Sequence, residues 1–563
     1  MQFSPPLARL AGMHRLPSLD AAALLRVDIE LTPKLPLETL ATAIGDPSTP
    51  QFHQFLTRDE FTQHYGRSQS DVDAVAQWLR SNKAKDVYVS ANRLVVGGTL
   101  SIANAERAFH TKYATFQNGP RVAVAPTTPL TLPISGVRAV RGAVTGFTPH
   151  LADTMTVQPN TGAQSDFRGG WFLPARFADA YDALDGEGAH LVLIEESADR
   201  HDPADIAMFA TGPEAPKGAS ADNVHVTVAI DKPQETAICE RDDRGQEATL
   251  DIDSVLTIAP KAHVEVRYDD ICAPGNDGSL ALQRALDDPN TNEIVFPFAV
   301  APVLDGVEKD FGPTPIPYLE AAVLGVPVIV PSGDDGQYGT LIPGQTEPAV
   351  TYPCVLPVVI CVGGTQIGDR RTGGPLDEAP FNDGLHAGGG GFSTEPRPSW
   401  QNAKSEFELG PDSVKVRIVP DISADASGHL RVFWHKYASG GVGGTSESVS
   451  IAGAQIAAIN AKVPDKNRLI VPADLYLLAQ KAPDAFRDVV RDNDRGYKDN
   501  NLRQPPKPLP LNYKGVIPTP APITYGCPDV APRGCEVKRG FDAVTGIGSL
   551  LGKPAVKALG GVP

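Results

Sequence analysis

From residue 173 onward the chain carries a series of short apolar runs: HLVLIE (190–195), HVTVAI (225–230), HVEVRY (263–268), EIVFPFAV (293–300), VPVIVP (326–331) and VLPVVICV (355–362). Helix-like segments fall between several of them. Apolar strands alternating with helices indicate a parallel sheet covered on both faces. The second half of the chain is therefore expected to be an α/β unit, and no internal repeat is visible in it.

Residues 1–150 have a different texture and read as a small α+β unit. Thr57 and Glu60 have capping-box spacing ahead of a helix that stops at Gly66. Val72, Val75, Ala76 and Leu79 recur at helical spacing. The runs at 87–89 and 93–96 look like strands around a turn, and Ile102, Ala105 and Phe109 make a second short amphipathic helix. Residues 151–172 are rich in Thr, Gln, Asn, Gly and Asp, the composition of an exposed linker open to proteolysis. Three parts are thus expected: 1–150, a linker at 151–172, and 173–563.

The length, 563 residues, is too great for one compact core. A net charge of −17 repels phosphate backbones and anionic lipid, so neither nucleic acid nor membrane is an expected partner. No apolar stretch approaches a membrane span, and the N-terminus lacks the apolar core of a signal peptide. The six cysteines contain no C-x-x-C pair, which argues against a zinc ribbon or a thioredoxin-type motif. An even number permits three disulfides or six buried thiols; Cys527 and Cys535, flanking a Pro/Gly loop, are the favoured pair.

Three segments could carry chemistry. In RGQEATLDIDSVLTIAP, a helix from Gln246 to Ile258 puts Glu247 and Asp251 on one face, with Asp253 pointing elsewhere. Such a pair can share a proton for acid–base work, or it can be a solvated acidic patch at a helix N-terminus. In SGGVGGTSESVSIAGAQIAAIN a glycine-rich turn leads into an apolar helix and leaves Ser446 exposed at its start, which suits a nucleophile or an ordinary Ser/Thr N-cap. PSGDDGQYG follows the strand VPVIV, at the strand end where sites form in parallel sheets, and is otherwise an Asp/Gly turn.

Together these segments resemble the sedolisin family of serine-carboxyl peptidases, kumamolisin-like members in particular. The resemblance rests on Glu247-Ala-Thr-Leu-Asp251, Ser332-Gly333-Asp334-Asp335-Gly336 and Gly444-Thr445-Ser446, with CVGGT (361–365), GGGGFSTEPRPSWQ (388–401) and VPDISADA (419–426) in family order. STPQFHQFLTRDEFTQHYG (48–66) and VSANRLVVGGTLSIANAERAF (89–109) resemble the activation domain of these precursors. The resemblance implies a subtilisin-like parallel sheet flanked by helices, preceded by a ferredoxin-like prodomain. It implies an acid-acting endopeptidase with Ser446 as nucleophile, Glu247 as base, Asp251 orienting it with Glu195 behind, and Asp334 in the oxyanion hole. Asp335 would push the pKa of Asp334 up. Peptides or proteins would be the substrates and the prodomain an intramolecular inhibitor, removed by self-cleavage in the linker. Acid would loosen the prodomain by protonating carboxylates that hold it. A secreted monomer is expected.

The resemblance also implies one calcium ion, held by Asp488 and Asp542 with the carbonyls of Val489, Lys538 and Gly540, although Lys538 stands where the family has glycine. Oxygen-only ligation suits a hard cation. Three other positions depart from the family pattern. Ser450 replaces proline, Asp335 replaces serine, and Pro297-Phe298-Ala299 replaces Ser-Trp-Gly, losing an indole donor. These departures keep open a catalytically weakened relative that binds peptides or partners in the same groove.

Overall fold

The structure, a computed structural model, describes residues 2–3, 14–15, 20–118, 121–143, 167–168, 171–213, 215–228, 245–269, 271, 278–299, 314–339, 349–368, 377–402, 415–428, 430–439, 442–492, 497–501 and 535–563. Most of the expected linker, and Cys239, Cys272 and Cys527, lie outside them.

The N-terminal part folds as strand, helix, strand, strand, helix, strand. Leu24–Leu31 and Val137–Arg141 pair, as do Leu24–Leu31 with Val95–Ser101 and Val95–Ser101 with Lys85–Val89, all antiparallel. That is the ferredoxin-like order. Helices Gln69–Ser81 and Ile102–Ala108 cover one face with Val72, Val75, Leu79, Ile102 and Ala105. Thr57 and Ser68 each complete a capping box, which fixes where two helices begin. Helices Leu37–Ile44 and Arg58–His64 rest on Ile316–Leu324 of the second part.

The strands of the second part are β1 (His190–Glu196), β2 (Val224–Val228), β3 (His263–Asp269), β4 (Ile294–Val295), β5 (Val328–Pro331), β6 (Ile360–Gly368), β7 (Asp377–Pro380) and β8 (Ile422–Asp425). Their order is β2-β3-β1-β4-β5-β6-β7, with β8 on β6; all pairs are parallel except β6–β7. Helices α1 (Gln246–Ile258) and α4 (Thr445–Asn460) lie on one side, α2 (Ser279–Leu286) and α3 (Ile316–Leu324) on the other. The two-sided burial is legible in β1: Leu191 and Leu193 enter the α1/α4 cluster, Val192 and Ile194 the α2/α3 cluster. Alternating side chains of one strand serve two cores, so the run is apolar throughout.

Some strand expectations change. Of EIVFPFAV only Ile294 and Val295 form a strand; the Phe296 N–H still bonds to the Ile329 carbonyl at 3.0 Å, Pro297 has no N–H to continue, and the Phe296 and Phe298 side chains fill the α2/α3 core. VLPVVICV joins the sheet only from Ile360. β2 is an edge strand, with Val226 49% exposed. Cys354 and Cys361 form a disulfide, so those two are not buried thiols. Cys535 is also disulfide-bonded, to a partner outside the described residues. Among the described residues no helix is long and apolar enough to cross a membrane.

Candidate active site

α1 begins after Gly245, whose φ of 82° is left-handed and whose missing Cβ would meet the Arg200 carbonyl at 2.6 Å. The Gly245 N–H is held by Asp199 at 2.5 Å. The helix is buried almost throughout: Glu247 is 2% exposed, Asp251 and Asp253 0%. That removes the solvated acidic patch as an explanation. Asp253 does point away from the pair and accepts the N–H of Phe433 at 3.1 Å.

Glu195, at the carboxyl end of β1, faces Asp251 and Glu247. Burial, and then the neighbouring negative charges, push the carboxyls of Glu195 and Asp251 well above the ordinary range. Neither carboxyl makes a well-aligned hydrogen bond among the described residues. The Ser450 hydroxyl stands beside Asp251 and favours its ionised form. Three carboxyls so close cannot all ionise, so the cluster holds protons in common.

The turn after β5 brings in the second constellation. Gly333 has a φ of 96°, and a Cβ there would lie 2.4 Å from the Gly339 carbonyl. The Gly333 N–H bonds to Thr445 Oγ1 at 3.1 Å, and Asp334 Oδ1 accepts the Thr445 N–H at 2.6 Å. Asp334 Oδ2 is buried without a hydrogen-bond partner. Burial, opposed by the bonds from Thr445 and helped by Asp335, raises the Asp334 carboxyl to about 6. The turn is thus tied to the first residue of α4, and Ser446 is the second.

Ser446 is not an N-cap: the cap is Gly444, with no side-chain bond. Nor is Ser446 exposed, as the glycine-rich turn suggested; it is 2% exposed because α4 packs along α1 and onto the sheet. Close approach is set at Gly453, where a Cβ would meet Val295 Cγ2 at 2.3 Å. The structure therefore brings the Glu247–Asp251 helix, the Ser446 helix and the Asp334 turn together. Sequence reasoning missed Glu447 and Asp425, which extend this acidic cluster; burial is the main cause raising both carboxyls, and Asp425 is lifted to about 7. Their available signals were a charge on an apolar helix directly after Ser446 and an acid closing an apolar strand.

The candidate calcium residues also meet. Asp488 Oδ2 accepts the Gly540 N–H at 2.9 Å, and Asp542 Oδ2 accepts the Lys538 N–H at 3.1 Å. Both carboxyls thus hold one turn, 538–542, and Val489 is buried next to Asp488. Asp542 is 3% exposed, and burial raises its carboxyl to about 7, a group whose ionised form wants a counter-charge. Among the described residues no three acidic, histidine or cysteine side chains converge as a metal site, so backbone carbonyls would complete any coordination sphere.

Residues 11–148 match the family model described as Pro-kumamolisin, activation domain. Sedolisin of Pseudomonas sp. (strain 101) is 26% identical over 496 residues, 84% of this chain and 81% of that protein. The chain is similar to the sedolisins along most of its length. Kumamolisin of Bacillus sp. (strain MN-32) is 29% identical over 341 residues, 57% of each chain. Xanthomonalisin of Xanthomonas sp. (strain T-22) is 24% identical over 557 residues, 87% of this chain and 65% of that one. A solved structure, Pseudomonas sedolisin (serine-carboxyl proteinase) complexed with two molecules of pseudo-iodotyrostatin, superposes with a TM-score of 0.51 at 23% identity. It covers 68% of this chain and 96% of its own, and it shows the fold. These similarities indicate a serine-type peptidase preceded by an activation domain.

Proposed function

We infer that the chain is an acid-acting serine-carboxyl endopeptidase, made as a self-processing precursor that cleaves peptides or proteins. The observation that carries the reading is Asp334: one oxygen is fixed by the Thr445 N–H beside Ser446, and the other is buried and unpartnered. A carboxylic acid donates only when protonated. With its carboxyl lifted to about 6, Asp334 is a donor in acid.

Ser446 Oγ attacks the scissile carbonyl and its proton passes to Glu247. Asp251 orients Glu247 and shares that proton, with Glu195 behind it. Asp334 hydrogen-bonds the oxygen that becomes negative, and the proton then goes to the leaving amine. An ordinary carboxylate has a pKa of about 4, so it stays a base where histidine would be protonated. Digestion of casein at pH 3–5, with Ser446→Ala as control, tests the reading. A Ser446→Ala form that digests casein at the wild-type rate would overturn it.

Residues 1–150 would act as an intramolecular inhibitor, 151–172 as the processing segment and 173–563 as the peptidase, working as a monomer. N-terminal sequencing after acidification should then find a new terminus between about 150 and 175, in a segment mostly outside the described residues. Asp488 and Asp542, with carbonyls of Val489, Lys538 and Gly540, would hold one calcium ion that braces the 538–542 turn. The Cys354–Cys361 disulfide favours action in an oxidising, extracellular setting.

A further inference from the structure

Glu447 follows Ser446 in the first turn of α4 and is fully buried. Its Oε2 accepts the N–H of Gly428 at 3.0 Å, and the N–H of Leu430 also reaches its carboxyl. Gly428 lies three residues beyond Asp425, the end of β8, at the carboxyl edge of the sheet. Farther along the same segment the backbone donors again go to acids on other helices. Phe433 N–H bonds to Asp253 of α1 at 3.1 Å, while His435 and Lys436 N–H bond to Asp205 at 2.9 and 2.6 Å. Asp205 belongs to the helix Pro203–Thr211. Gly443, just ahead of α4, lies against this segment so closely that a Cβ would sit 2.3 Å from the Gly428 nitrogen.

We propose that Glu447 is a positioning residue for Ser446, tying the first turn of α4 to the backbone N–H groups of Gly428 and Leu430 through its carboxyl. The proposal rests on the reading of Ser446 as nucleophile. An alanine there would leave buried backbone donors without an acceptor and free the first turn of α4 to shift. Such a shift moves the nucleophile relative to Glu247 and Asp334, which act from other elements, so it lowers kcat more than it raises KM. The tie also has a charge state. Asp425 faces Glu447 from β8 and Asp251 from α1, and both raise its carboxyl beyond what burial does. In acid the group is neutral and the tie is unopposed. As pH rises, ionisation sets a negative charge beside two other acids; the N–H bonds favour that charge, but burial and the repulsion from Asp425 and Asp251 oppose it and strain the first turn.

The experiment is a rate–pH profile of pre-activated wild type, Glu447→Gln and Glu447→Ala, with Ser446→Ala in the same assay and a circular-dichroism melt for each form. Glutamine keeps an oxygen acceptor and cannot ionise. It should stay within about threefold of wild type near pH 4, and its falling limb should move upward by about half a pH unit or more. Alanine should lose about tenfold or more in kcat with KM changed by less than about threefold. Two outcomes overturn the proposal: both variants tracing the wild-type profile, or folded Glu447→Gln losing as much as Glu447→Ala. If alanine prevents folding, the glutamine profile alone decides. An active Ser446→Ala would instead overturn the reading of the nucleophile, independently of Glu447.

Discussion

Asp334 shows how one residue's setting decides its chemistry. Burial raises its carboxyl, the bonds from Thr445 lower it, Asp335 raises it and His386 lowers it; the balance stands at about 6. Asp335 acts in the direction expected from its position, but burial is the larger cause. A folded-state value above the ordinary 3.8 means the neutral form is favoured, so the donor is present in acid and is lost as pH rises through about 6. Asp334→Asn keeps an oxygen for the Thr445 N–H and places an amide donor at the other position, with no titration. Its rate should decline less steeply toward neutral pH than the wild-type rate. Asp334→Ala should lose about 100- to 1000-fold in kcat while still binding peptide. Rate–pH profiles of the three forms check this, and an alanine variant as fast as wild type would make Asp334 only a turn residue.

At the scale of elements, the site depends on how closely α4 can lie on the sheet. α4 is buried along its length, and Gly453 is where it meets β4 at Val295. A larger residue must push the helix out or distort Val295, and overpacking of this kind costs about 1–3 kcal/mol. Gly453→Val should therefore lower stability to denaturant by about that amount and slow catalysis, since Ser446 rides on the same helix. An unfolding curve that superposes on wild type would show that the contact is slack. α1 illustrates what local pattern reveals about an element. Its limits, Gln246 and Ile258, were readable from periodicity. Its burial on nearly all sides was not, because that depends on α4, the helix Pro203–Thr211 and the segment at 432–434, all distant in sequence.

For the whole molecule, the N-terminal part is docked through polar groups buried against the second part. Asn92 Nδ2 bonds to Glu320 at 2.6 Å and Gln283 at 3.1 Å, Gln283 bonds to Glu320 at 2.9 Å, and Arg58 reaches the carbonyls of Leu286, Pro289 and Thr291. Burial, with Asp287 adding to it, raises Glu320 to about 7 against the bonds from Gln283 and Asn92 and the charge of Arg58. Because this value is raised, the stability it contributes is complete below about pH 4.5 and is lost as pH rises through about 7. Acid therefore strengthens the docking at Glu320, opposite to the expectation that protonation loosens it. Asp46, bonded to Ser399 and held below its ordinary value, behaves in the expected direction. In a Ser446→Ala chain, kept unprocessed, the melting temperature should fall between about pH 4.5 and 7, and Glu320→Gln should flatten that fall. Parallel melting curves for the two forms would remove Glu320 from the docking. In the mature domain, chelator should lower the melting temperature near neutral pH, and Asp542→Ala should abolish the difference. A wild-type melt indifferent to chelator would remove the calcium site.

What the sequence determined by itself was whatever neighbouring residues decide. Apolar runs between helices marked the sheet, Thr57 and Glu60 marked a helix start, and Glu247 with Asp251 shared a face because a helix turns about 100° per residue. What only the tertiary structure decided was burial and partnership. Ser446 became a buried residue, the side chains of Phe296 and Phe298 went to a core, and Glu447 met Gly428 and Leu430. The pKa of a carboxyl depends on how much water it loses and which charges stand beside it. For Asp334 and Glu320 those influences come from segments far along the chain, so only the fold could set them.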